Sequence, residues 1–163
     1  MNIQSLTIQK SDQLRPDSDY MAHREFTEFE HFLTAQAPVY EDVVAELQAG
    51  EKQSHWMWFI FPQLEGLGHS HMARRYALHS LEEARRYAQH PQLGERLRHC
   101  IKLVVQTEER SVSEIFGYPD DLKFHSCMTL FALAIPDEPL FKLALDKFFD
   151  GEKDAKTIGL LKD

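Results

Sequence analysis

Cysteine is scarce in this chain. Only Cys100 and Cys127 are present, set among apolar neighbours, with no Cys-x-x-Cys and no Cys/His spacing of a zinc site. They read as buried free thiols in a reducing compartment, with a single structural disulfide as the other reading. Glycine and proline, seven each, are too few for collagen-like or low-complexity sequence. Long hydrophobic runs are missing as well. The longest, Trp56–Phe61, falls far short of the ~20 residues a membrane-spanning helix needs. The first twenty residues are polar and lack the apolar stretch of a signal peptide. Positive charge is in deficit, with 18 Lys and Arg against 26 Asp and Glu for a net charge of −8. That balance argues against a nucleic-acid binder. Nine histidines are scattered, only His69 and His71 lie close together, and no His-Glu-x-x-His occurs. Neither a metal nor a cofactor is expected. The composition is that of a cytoplasmic protein without a membrane segment, and it leaves the oligomeric state open.

What is present is helical patterning. A chain of 163 residues, 43% apolar and 27% charged, suits one domain. We expect a polar leader over 1–22 and one helical domain over 23–163. Phe29, Phe32 and Leu33 make one short apolar stripe, and Tyr40, Val43, Val44 and Leu47 make another, with Gly50 just past its end. Helix starts are marked by Ser80 with Glu83, by Ser111 with Glu114, and by Pro91 and Pro119 at first-turn positions. Pro136 closes the helix over 120–134. Gly151 ends a later helix, and Asp154 is placed to cap a last one. No period-2 alternation of useful length occurs. The fold expected is all-α, about seven to nine helices in an irregular array, with no β-sheet.

Two segments carry residue types suited to chemistry. The first, Ser54–Ser70, holds both tryptophans. Trp56 and Trp58 read either as core or as a stacking wall for a planar ring, with His55 and Gln63 supplying polar contacts at its edge. Gly66 and Gly68 then lead into Ser70, placed to cap a helix carrying Arg74. That step reads as a plain turn, or as a cradle in which backbone N–H groups approach an anion. No Gly-Lys-Ser/Thr is present, so it is not a P-loop.

The second segment runs from Phe116 to Phe131. Its apolar side chains point in every direction at helical spacing, the pattern of a buried helix. Lys123, Ser126 and Thr129 recur every third residue and form one polar ridge. A buried ammonium needs a partner, and that partner is either a protein carboxylate or a ligand anion. Asp120 and Asp121 suit the helix start. They would also serve as acceptors for ribose hydroxyls or as acid/base groups.

These segments also carry a family likeness. Ser54–Gln63, Gly66-Leu67-Gly68-x-Ser70, Phe116-Gly117-x-Pro119-Asp120 and Lys123-x-x-Ser126-x-Met128-Thr129-Leu130-Phe131 resemble the bacterial Domain of Unknown Function 1810 family. The likeness spans about Phe26 to Leu161 and implies a mainly helical fold, without a reaction. A fainter resemblance, to the NADAR superfamily, runs through Glu30-His31-Phe32, His90-Pro91-x-Leu93, Leu103-Val104, Thr107-Glu108 and Phe116-Gly117. That group is linked to NAD and ADP-ribose metabolism and contains N-glycosidases. This chain departs from it at Phe116, where Trp is usual, and at Thr34–Ala37, which lacks a lysine.

The function expected is a pocket for a nucleotide-like or ADP-ribose-like small molecule, extending to N-glycosidic hydrolysis. Trp56 and Trp58 would stack the base, and Lys123 and Arg74 would meet anionic groups. Asp120 or Glu30 would supply acid/base chemistry, as the two carboxylates that the resemblance singles out. The alternative is a non-catalytic helical adaptor.

Overall fold

The computed structural model describes residues 27–162. The leader expected over 1–22 lies outside them. The chain divides into two compact units between His31 and Phe32, within the first turn of the first described helix, and the packing that follows is that of the larger unit. Among the described residues there are ten helices: α1 (Glu30–Gln36), α2 (Tyr40–Gln48), α3 (Met57–Ile60), α4 (His71–Arg75), α5 (Leu81–Gln89), α6 (Pro91–Gln106), α7 (Val112–Phe116), α8 (Asp120–Ala134), α9 (Pro139–Phe149) and α10 (Ala155–Lys162). No strand forms among them, and the single pairing of extended backbone is an isolated bridge between Leu64 and Leu78. The fold class is all-α. The count passes the expected seven to nine because α3, α4 and α7 are one-turn helices of 4 or 5 residues. No helix among the described residues is long and apolar enough to cross a membrane.

Local chemistry sets the helix ends. Ser70, Ser80 and Ser111 each accept a hydrogen bond from the N–H three residues on, which satisfies one orphan donor per helix. At Ser111 the reciprocal bond from its own N–H to Glu114 is also made. At Ser80 it is not, because the Glu83 carboxylate is 3.0 Å from Nδ1 of His79. His90 caps α6 in an unforeseen way: its Nδ1 accepts from the N–H of Gln92 and of Leu93, both at 3.2 Å. A ring that accepts there must be neutral, and burial pushes the His90 pKa down accordingly.

Helix α8 is the centre of the packing, in contact with α5, α7, α9 and α10. Phe124, Cys127, Met128, Leu130, Phe131 and Ala134 of this helix are all buried. Phe124 stacks on Phe116 at 4.9 Å and meets Phe61 edge-on at 5.1 Å. Phe131 packs on Phe141 at 5.5 Å and Tyr87 at 5.8 Å. Each such ring contributes about 1.5–3 kcal/mol by leaving water. The aromatic run before α8 is thereby explained, since Trp56, Met57, Phe59, Ile60 and Phe61 are all core residues.

Candidate functional site

The site is built where the chain turns into α8. Lys52 follows α2, anchored by its own N–H to the carbonyl of Ile115 at 2.7 Å. Its ammonium lies 2.9 Å from one carboxylate oxygen of Asp120, and the Lys52 side chain is 8% exposed. Lys123, one turn along α8, reaches the other oxygen at 3.2 Å. One carboxylate therefore serves two ammonium groups, and the centre keeps one positive charge. Each lysine also sits over an indole, Lys52 at 5.1 Å from the Trp56 ring and Lys123 at 4.7 Å from the Trp58 ring, a cation–π contact.

The indoles divide their labour. Trp56 is 1% exposed, so it shows no face to a ligand, and the expectation that it stacks a base is corrected. Its Nε1–H instead donates to Glu46 at 3.0 Å. Glu46 also accepts from the N–H groups of Gln53 and Ser54 and from the Ser54 hydroxyl. Burial alone would push this carboxyl's pKa up, but those hydrogen bonds outweigh it and hold the pKa below its ordinary value. Trp58 is half-buried and reaches the surface. At the turn into α8, Tyr118 is 82% exposed, and Leu122 in the first turn of that helix is 52% exposed.

The polar ridge of α8 splits in use. Lys123 belongs to the centre, its partner being a protein carboxylate. Ser126 and Thr129 are occupied by Asp154: the Ser126 hydroxyl donates to its carboxylate at 3.1 Å, and Thr129 Oγ1 accepts from its N–H at 2.8 Å. Asp154 in turn caps α10 through the Thr157 N–H at 3.0 Å and hydroxyl at 2.6 Å. The ligand role expected of Ser126 and Thr129 thus gives way to docking of the last helix.

The glycine step is a turn. Gly66 has φ +99°, and a Cβ at Gly68 would lie 2.7 Å from that of Ala73. These glycines serve close packing of backbone on α4 and the left-handed bend. Ser70 and Arg74 are exposed, as is His55, and Gln63 is half-buried. Among the described residues, no hydrogen bond or ion pair joins Gln63, Ser70, Arg74 or His55 to the lysine centre. Glu30 is exposed in the first turn of α1, in the smaller unit. No group of three or more His, Cys, Asp or Glu among the described residues could hold a metal.

Sequence reading missed Lys52, Glu46 and the α6 surface. A cavity of about 650 Å³ opens there, lined by Tyr40, Gln92, Glu95, Arg96, Arg98, His99 and Lys102. The even spread of charge along Glu95–Lys102 hides it, since a solvated helix face has the same composition.

A set of helices packed on one buried helix, with two lysines and an aspartate at its start, defines an all-α protein with a cationic centre. The chain belongs to the family described as Protein of unknown function (DUF1810), whose model matches residues 26–161. Among solved structures it is similar to the conserved hypothetical protein Rv1873 from Mycobacterium tuberculosis, with 53% identity and a TM-score of 0.82 over 83% of this chain and 97% of that one. No match is found among curated proteins.

Proposed function

We propose that the protein binds a nucleotide-like or ADP-ribose-like small molecule at the Lys52–Asp120–Lys123 centre. The observation that carries this reading is the sharing of one carboxylate by two lysines, at 2.9 and 3.2 Å. It leaves a fixed positive charge beside the half-buried Trp58 on a chain of net charge −8. Lysines meet phosphates as point charges, and the Trp58 ring offers planar surface to a base. The ADP-ribose-like class rests on the likeness to the NADAR superfamily. A cytoplasmic setting rests on the low cysteine content.

The reading extends to N-glycosidic hydrolysis, with Asp120 as the carboxylate that would steady oxocarbenium charge. It uses Asp120 alone, since Glu30 is exposed and belongs to the smaller unit. Both Asp120 oxygens face ammonium groups, so Asp120→Asn removes a shared counter-ion as well as any catalytic carboxylate. A folding check by circular dichroism therefore accompanies the assay.

The experiment is a thermal-shift panel with ADP-ribose, NAD, AMP and GTP. A compound at 100 times its Kd stabilises by about 2.7 kcal/mol, a shift of several degrees for a domain of this size. The expected result is one selective shift that disappears in a folded Lys123→Ala variant. A flat panel, or an equal shift in Lys123→Ala, sinks the reading. Release of free base from NAD or a nucleoside, lost in folded Asp120→Asn, is the expected result for the hydrolytic step; unchanged turnover removes Asp120 from it.

The second reading, a partner-binding surface, is favoured by the exposure of Tyr118 and Leu122, since exposed aromatic side chains often anchor interfaces. It requires a purified partner whose binding is lost in Tyr118→Ala while the ligand panel stays flat.

A further inference from the structure

The α6 cavity calls for an occupant of a different kind. Its volume, about 650 Å³, lies within the roughly 300–1,000 Å³ usual for small-molecule pockets. It is lined by charged and polar residues, whose aliphatic stems and rings supply more of the wall than their polar atoms do. No aliphatic side chain lines it, and the only ring besides His99 is that of Tyr40. Three permanent cations, Arg96, Arg98 and Lys102, face one carboxylate, Glu95.

The three cations are not equivalent. Arg98 is committed: it forks onto the Glu138 carboxylate at 2.8 and 2.9 Å and donates to the Ala88 carbonyl at 2.8 Å. Arg96 is held in place yet has no carboxylate within ion-pair distance among the described residues. Its Nη1 donates to Gln36 Oε1 at 3.2 Å, and its Cζ lies 4.9 Å from the Tyr40 ring centre. Gln36 is itself buried and fixed, its amide donating to the Phe59 carbonyl at 2.7 Å and to the Tyr87 hydroxyl at 3.1 Å. A solvated arginine gives up rotamer freedom when it meets an anion, whereas this one is already ordered from behind by core groups. Of its five N–H donors, one is accounted for by Gln36. Lys102, exposed on the rim, likewise has no carboxylate within ion-pair distance among the described residues.

We infer that this cavity is a second binding site, for a small phosphate ester of a polar, hydroxyl-bearing molecule. The preordered Arg96 fork and Lys102 would take the doubly charged head group. Gln92 and His99 supply hydrogen bonds to hydroxyls, and the three cations along the wall disfavour an uncharged apolar ligand. The site is independent of the lysine–aspartate centre and does not rest on the function proposed there.

The test is isothermal titration and amide-resolved NMR of the full chain with glucose 6-phosphate, glucose and inorganic phosphate at low ionic strength. Glucose 6-phosphate is expected to bind saturably, with shifts clustered on α6, while glucose does not bind. Arg96→Ala should weaken binding about tenfold or more, as loss of hydrogen bonds to a charged group does. Arg96 also braces Gln36, so Lys102→Gln provides the variant that leaves the core alone, with an expected loss of about threefold for a rim charge. Lys123→Ala is expected to leave this binding unchanged. Absence of saturable binding, equal affinity in wild type and Lys102→Gln, or loss of binding in Lys123→Ala overturns the site. Equal affinity for inorganic phosphate and the ester overturns the assignment to an ester.

Discussion

Glu46 shows how much one side chain can hold. It accepts four hydrogen bonds, from Gln53, from the backbone and hydroxyl of Ser54, and from the Trp56 indole. These bonds favour its ionised form in the folded chain, and they hold its pKa below the ordinary value of 4.5. A carboxyl depressed in this way contributes stability above its unfolded pKa, and the contribution fades as pH falls through the folded one. Glu46→Gln is therefore expected to be less stable than wild type at pH 7. That gap should narrow as the pH is lowered below about 4.5, as followed by urea denaturation across the range. A gap that stays constant with pH would remove the ionised carboxylate from the account. The need for a partner at Lys123 could be read from its place on the helix. Asp120, three residues back on the same helix, stood at the spacing for that partner, but the second lysine did not show, because Lys52 is brought to Asp120 only by the tertiary fold.

Among the elements, α5 and α6 cross at a glycine. A Cβ at Gly94 would fall 2.1 Å from the Ala88 carbonyl oxygen, against backbone that cannot step aside. Gly94→Ala is expected to cost about 3 kcal/mol, the upper range for overpacking. Gly159, in α10, has open space around the same position. Gly159→Ala should stabilise by about 0.5–1 kcal/mol through helix propensity alone. Opposite shifts of the denaturation midpoint would check both together. The docking of α10 hangs on Asp154, which joins Ser126 and Thr129 of α8 to the first turn of the last helix. Asp154→Ala should cost about 2 kcal/mol, a lost cap plus lost buried hydrogen bonds. Amide exchange over 155–162 is expected to accelerate first. Helix ends were the most legible feature, because a cap is a local matter of neighbouring residues. Helix α3 was not legible, since a run in which nearly every residue is buried has no period to read. The ridge on α8 was legible, but its use was not, because Asp154 lies far along the chain.

For the molecule as a whole, both thiols are buried and free. Burial pushes Cys100 up to about 12 and Cys127 well above its ordinary value, which leaves almost no thiolate at neutral pH. Ellman's reagent is expected to find no reactive thiol in the native protein and to titrate both in denaturant. A fast native reaction would show that the core opens more readily than its packing implies. The all-α fold was legible at this scale from the lack of strand patterning and the all-round apolar character of 120–134. The α6 cavity was not, since concavity comes from how helices meet and leaves no mark in composition. The place of α8 at the hub of four other helices also bears on how the chain is made. Synthesis proceeds from the N-terminus, so α5 and α7 leave the ribosome with apolar faces whose main partner does not yet exist. Until Asp120–Ala134 has emerged, α5 and α6 can pack chiefly on each other and on α2, and the apolar surface that α8 covers stays open to chaperones.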